Sequence, residues 1–185
     1  ELLWRDYFHR VAQREGAALF GLRTLPVPCA YFTAWCEGET GVPFIDAAMR
    51  ELRLTGWISN RARQNVASFL VKDLQVDWRL GAAWFEHCLI DYDVASNWGN
   101  WRYVAGVGAD PRKERYFNVL KQASHYDPEG AYVAHWLPEL SKLLRDLSRH
   151  QPWRVRPDTF SPPLVEPHAW RSWLIGSADD ARINV

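Results

Sequence analysis

An all-helical chain is what this sequence specifies, and three features say so. Apolar residues recur every three to four positions through most of the chain, as they do along one face of a helix. No stretch alternates apolar and polar residues for long enough to make a useful strand. Glycine and proline fall between the periodic stretches, where the chain must turn. With 185 residues the chain can enclose a core of its own. Its 22 basic and 22 acidic residues cancel, so no global field points to nucleic acid or membrane, although a local basic patch stays open.

The elements follow in order. Leu2, Leu3, Tyr7, Phe8 and Val11 predict a helix from the first residue to about Gln13, with Trp4, Arg5 and Phe8 on neighbouring faces. Gly16, Gly21, Pro26 and Pro28 break the pattern into a loop. A short helix is expected from Phe32 to Glu37, ended by Gly38. Gly41-Val42-Pro43 then restarts a helix whose buried stripe is Phe44, Ala47, Ala48 and Leu52, and Gly56 stops it.

The stretch from Trp57 to Tyr103 comes next, and the rest of the chain is arranged around it. Asn60 reads as the N-cap of a helix with Ala62, Val66, Phe69 and Leu70 on the apolar stripe. Asn60, Arg63, Gln64 and Ala67 fall on a different face, turned toward something else. A second helix, about Leu80 to Leu89, is expected to turn Trp84, Phe85 and Cys88 inward and to lead into an acidic loop, Asp91-Tyr92-Asp93, with Asn97 just beyond. Polar groups converging from a helix face and a loop, among flat aromatics, suit a planar ligand with polar edges.

After Trp101, the glycine-rich segment from Val104 to Pro111 cannot be regular helix. Asp127 to Gly130 is a turn or helix start before a helical stretch from Ala131 to about Leu147. The first domain therefore spans residues 1–150. Residues 151–185 form a proline- and tryptophan-rich extended tail, docked by Trp153, Trp170 and Trp173.

Cys29, Cys36 and Cys88 lack CxxC or other metal-binding spacing; they imply no metal site and read as ordinary thiols of a reducing compartment. No apolar run reaches membrane-spanning length and no secretory signal is visible, so a secreted protein is not expected. Glu1 opens the chain inside a helical pattern and without methionine, as in a processed or truncated product. Eleven tryptophans stand out. They are either anchors of a helical core or groups that stack and transfer electrons.

Four stretches carry a resemblance. ELLWRDYF, GVPFIDAAMRELRLTGWISNRARQNVASFLVKDLQVDWRLGAAWF, DYDVASNWGNWRYVAGVGADPR and YDPEGAYVAHWLPEL are similar, in that order, to the carboxy-terminal helical half of the photolyase/cryptochrome family, in its cryptochrome DASH branch. The resemblance covers Glu1 to about Leu140. It implies an all-α domain that holds FAD in a bent shape, truncated here. An α/β antenna domain and the segment holding the flavin phosphates would lie upstream, and no antenna pigment is expected on these residues.

The resemblance also implies roles. Asn97 matches the residue facing flavin N5, where an amide can donate to bare N5 or accept from N5–H. Arg63 and Asp91 match an ion pair beside the isoalloxazine ring, and Asp93 matches a partner of its pyrimidine edge. Glu1, Arg5 and Trp57 match positions lining the flavin. Trp101 and Trp78 match the inner members of a chain that passes electrons to the flavin. The outer tryptophan of that chain is missing from GLRTLPVPCAYF, where Tyr31 is the substitute on offer.

Trp4, Asn60, Arg61, Gln64, Tyr103 and Gln122 match the rim that receives a flipped pyrimidine dimer. Trp4 would stack on it, Asn60 and Gln64 would touch base edges, and Arg61 would touch phosphate. Each residue also has a plainer reading: a salt bridge, a cap or a packed indole.

The family implies blue-light electron transfer from FAD, with repair of cyclobutane pyrimidine dimers in single-stranded DNA or photoreception. It places such proteins in the cytosol, chloroplast or mitochondrion. The alternatives are a degenerate structural or interaction subunit of a larger assembly, and a domain completed by a partner chain that supplies the missing half. Activity of this chain alone is not expected.

Overall fold

The computed structural model describes residues 2–21, 24–107 and 116–176. Every regular element among them is helical, as the periodicity predicts. Helix α1 runs over Leu2–Glu15. It ends in a 3₁₀ turn, Gly16–Phe20. Helices α2 (Ala30–Glu37) and α3 (Pro43–Thr55) follow.

Proline begins α3 because its missing N–H has no helical partner to lose there. Asp46 in the first turn closes the preceding loop, accepting from Thr40 N (2.8 Å), the Thr40 hydroxyl (2.6 Å) and Gly41 N (2.9 Å). Gly56 at φ 70° ends the helix in the left-handed region that a side chain would resist. The expected stripe of α3 is buried, and so are Ile45 and Met49 beside it. Each such side chain contributes about 1.5–3 kcal/mol by leaving water. Helix α3 is thus a central strut, not a surface helix.

Helix α4 covers Asn60–Ser68. Its N-cap is Ser59, whose hydroxyl accepts from Ala62 N at 3.2 Å; Asn60 is the first helical residue instead of the cap. Both residue types cap well, and the extended backbone at Ser59 decides between them. The helix then widens into one π turn, Phe69–Asp73, which keeps Phe69 and Leu70 fully inside. Trp35 of α2 locks onto α4 by donating its indole N–H to Val66 O at 3.1 Å.

Helix α5 spans Trp78–Cys88 and buries Leu80, Gly81, Ala82 and Phe85. Trp84 and Cys88, expected inward, are only partly buried, because the small residues Gly81 and Ala82 form the contact face. Helix α6, Val94–Ala105, is capped by Asp93, so Asn97 lies in its second turn and not in a loop. It carries the chain through Val104 and Ala105 before Gly106 ends it; residues 108–111 of the glycine-rich segment lie outside the described residues. Helix α1 lies against α6. Phe8 fills the space over Gly99, where an added Cβ would collide with the ring. Arg102 pairs with Glu15 farther along.

Asn118 caps α7, Val119–Tyr126, and α8 follows at Ala131–Trp136. The continuous helix expected to reach Leu147 stops there. Pro138 cannot donate the next helical hydrogen bond, and only 3₁₀ turns, Pro138–Lys142 and Leu147–His150, continue. Asp127 ties this corner together. It accepts from Tyr132 N (3.0 Å) and Val133 N (3.2 Å) and lies 3.3 Å from buried His150.

Residues 151–176 add one turn of helix, α9 (Pro152–Val155), and a 3₁₀ turn, His168–Trp173, between extended stretches. Trp170 is fully buried, stacked on Phe69, and Trp153 is buried too, while Trp173 is partly buried. The Trp170 indole donates to the Tyr116 hydroxyl (2.9 Å), which donates to Asp73 on the π turn (2.8 Å). No described helix is long and apolar enough to cross a membrane.

Candidate functional site

A cleft opens where α4, residues 89–93 and α6 meet. Its inner chamber has a volume of about 330 Å³, within the range of small-molecule sites. Ala67, Phe85, Leu89, Trp101 and Val104 make an apolar floor. Around that floor stand polar groups from three elements: Arg63 and Gln64 on α4, Asp91 and Asp93 on the connection, and Ser96, Asn97 and Asn100 on α6. An outer chamber of about 450 Å³ continues from it and is walled by Trp4, Phe8, Trp57 and Ile58. Arg5, Asn60, Arg63, Gln64, Asp91 and Tyr103 line both.

Fixed geometry holds the polar rim. Arg63 donates through Nη2 to both oxygens of Asp91, at 3.0 and 2.9 Å, and through Nε to Ile58 O at 3.0 Å. The guanidinium is therefore pinned from two sides, and the pair presents one positive and one negative edge. Asn97 donates one N–H of its Nδ2 to Ala82 O of α5 at 2.9 Å, which sets the orientation of the amide, with Oδ1 as its acceptor.

Asp93 caps α6 by accepting from Ser96 N at 2.8 Å and lies 3.2 Å from His9 of α1. Burial opposes its ionisation, but the Ser96 hydrogen bonds and His9 outweigh that and hold its carboxyl below the ordinary value. Burial pushes the Tyr92 hydroxyl up to about 12, so it stays a neutral phenol at the rim.

Nine of the residues singled out from sequence thus meet at the inner chamber: Arg5, Asn60, Arg63, Gln64, Asp91, Asp93, Asn97, Trp101 and Tyr103. Trp4 and Trp57 join in the outer one, 51% and 47% exposed. Arg61, Gln122 and Trp78 line neither chamber. Glu1 lies outside the described residues.

Trp101 is buried in the floor, packed edge-on to Trp35 (6.2 Å) and Phe85 (5.1 Å). Trp78 packs against Trp98 at 5.8 Å, and Trp98 against Phe20. Sequence reasoning passed over Ser96, Asn100 and His9. Asp93, Ser96, Asn97, Asn100 and Val104 share one helical face, and that signal becomes readable only once α6 is known to start at Val94. Among the described residues, no group of three or more His, Cys, Asp or Glu side chains could hold a metal.

Fold and site together define a helical domain built to receive one flat, polar-edged molecule in a cleft with an aromatic forecourt. Residues 1–166 match a family model described as the FAD binding domain of DNA photolyase. The chain is 58% identical over 164 residues to cryptochrome DASH of Gloeobacter violaceus, which covers 85% of this chain and 33% of that protein. It is 56% identical over 162 residues to cryptochrome DASH of Xenopus laevis, covering 84% and 31%. A solved cryptochrome from Synechocystis sp. PCC6803 superposes on 90% of this chain and 38% of its own, with a TM-score of 0.81 and 50% identity. An archaeal photolyase from Sulfolobus tokodaii, solved with two FAD molecules, gives a TM-score of 0.81 at 39% identity, covering 90% and 40%.

The chain belongs to the photolyase/cryptochrome family of FAD-binding domains, and FAD is the cofactor of such a domain. It spans about a third of the length of the curated relatives it matches. The inner chamber fits the ring end of that cofactor. It offers an apolar floor for the flat face, a fixed ion pair for a polar edge, and an amide oxygen already oriented by Ala82.

Proposed function

We propose that the full-length protein is a light-driven flavoprotein of the DASH type that binds a cyclobutane pyrimidine dimer in single-stranded DNA. The observation that supports this best is the convergence of the Arg63–Asp91 pair and the oriented Asn97 amide on one apolar-floored chamber. When bound, FAD supplies one-electron chemistry under blue light. The protein's part is to hold and orient. Arg63 and Asp91 would set opposite charges at the ring edge, and Asp93, kept ionised, would accept a hydrogen bond from a ring N–H. Asn97 Oδ1 would accept a hydrogen bond from a protonated ring nitrogen, which would favour the reduced ring. Arg5 and Trp57 close the side of the cleft.

In the outer chamber Trp4 and Tyr103, 5.7 Å apart, offer stacking surfaces for extruded bases, and Asn60 and Gln64 offer amides to base edges. Trp101 in the cleft floor and the partly buried Trp78 would serve as oxidisable indoles. Tyr31, 43% exposed, is the candidate outer donor.

The test is spectroscopic. Purified full-length protein should absorb at the flavin bands, and Asn97→Asp should change which redox state accumulates under blue light. Dimer-bearing single strands should bind, weakly and with salt sensitivity, and Trp4→Ala should abolish the preference for damaged strands. The second reading, a domain kept for structure or interaction, is favoured by the absence of tryptophan from GLRTLPVPCAYF. A folded but colourless protein with an empty cleft would leave that reading alone.

A further inference from the structure

Arg61 was expected at a phosphate, yet it stands behind the cleft wall and faces α7. Its guanidinium lies over the Tyr126 ring at 5.0 Å and near Phe117 at 6.0 Å. From there Nη1 donates to Gln64 Oε1 at 2.9 Å. Gln64 in turn lines both chambers. Arginine has only donors, so the amide end facing it must be the carbonyl oxygen. The NH₂ end is what Gln64 then has to offer the cleft.

An unrestrained glutamine could rotate its amide and present either an acceptor or a donor. Here the aromatic face of α7 holds the guanidinium, and the guanidinium holds the amide. Tyr126 is near the surface and Arg61 partly buried, so this is a chain of contacts running from outside the domain to the cleft wall.

We propose that Arg61 and Tyr126 are positioning residues that fix Gln64 as a hydrogen-bond donor, so that the cleft selects pyrimidines with a carbonyl at the exocyclic position over those with an amino group. Thymine presents an acceptor at O4 where cytosine presents the N4 amino donor, and only the first can accept from Gln64. This rests on reading the outer chamber as a base-binding site.

The experiment measures dark binding of full-length, flavin-loaded protein to two labelled single strands, identical except for a thymine dimer or a cytosine dimer, across a salt series. The wild type is expected to favour the thymine dimer by roughly fivefold, the worth of one hydrogen bond. Arg61→Ala and Tyr126→Leu should bring that ratio near one without changing the salt slope. Tyr126→Phe, which keeps the ring, should preserve the ratio, and Gln64→Glu should reverse it.

Retention of the thymine preference in Arg61→Ala, with a salt slope smaller by about one, would make Arg61 a phosphate contact and overturn the inference. Equal weakening on both strands with an unchanged ratio would reduce Arg61 and Tyr126 to structural supports and overturn it too. A wild type that binds both dimers without discrimination removes the inference alone. One that binds neither removes the reading of the chamber, and the inference with it.

Discussion

Asp91 and Asp93 stand at the cleft, partly exposed, and each is met by a basic side chain within 3.2 Å. Asp46 and Asp73 sit deeper and, among the described residues, have no such partner at that distance; they take hydrogen bonds from Thr40 and Gly41, or from Tyr116. Burial raises Asp46 to about 6 and Asp73 to about 7, against the hydrogen bonds that favour their charged forms. The contrast separates two uses of one residue type. At the cleft, the charge is met by a basic side chain and partial hydration lowers its cost. Inside, the carboxyl is kept for its geometry, and its charge is a liability.

Substitutions can break this contrast. Asp46→Ala should have the largest effect, lowering stability by about 3 kcal/mol. It strips the Thr40 and Gly41 N–H groups of their acceptor at the start of the central helix. A drop in the thermal midpoint of the full-length protein measures it. Asp127→Ala should follow at about 2 kcal/mol, through loss of the α8 hydrogen bonds and of the His150 contact. Burial opposes ionisation of Asp127, but His150 and the Tyr132 and Val133 N–H groups outweigh it and depress its carboxyl. Its stabilisation is therefore present above pH 3.8 and lost as pH falls through the lowered value, so wild type and variant should converge in acid.

Asp73→Asn should act in the opposite sense. A raised carboxyl contributes stability that is fully present below pH 3.8 and lost as pH rises through about 7. Asparagine keeps an acceptor for Tyr116 without the charge. The variant should thus gain about 1 kcal/mol at pH 8 and nothing near pH 4, read from melts at the two pH values. The smallest stability change belongs to the cleft. Asp91→Asn should shift stability by under about 1 kcal/mol, because its pair with Arg63 is partly solvated. Flavin retention after gel filtration should fall all the same. A large loss of stability in that variant would dissolve the distinction between the two sets.

The cleft face of α4 was readable because one helical period separates Ala62 and Val66, which are buried, from Asn60, Arg63, Gln64 and Ala67, which line the chamber. The stripe of α3 was readable for the same reason. What escaped depended on contacts between distant residues. Trp84 looks as apolar as Phe85, and only the packing of α5 through Gly81 and Ala82 puts it at the margin. Leu137, Leu140 and Leu147 continue a helical period past Trp136, but Pro138 divides it into separate turns. Arg61 lies one residue from the cleft face, and its sequence neighbours give no sign that Tyr126, 65 positions later by number, is what it meets.

Gly99 has a consequence of its own. Helix α1 carries Trp4 and Arg5 to the cleft, and its standoff from α6 is set where the Phe8 ring occupies the room a side chain at position 99 would take. The hydrogen in place of a methyl group therefore works as a spacer gauge for the forecourt. Any larger residue there would act as a wedge, tilting the stacking indole and Arg5 away from the cleft while the polar groups of α4 and α6 kept their place.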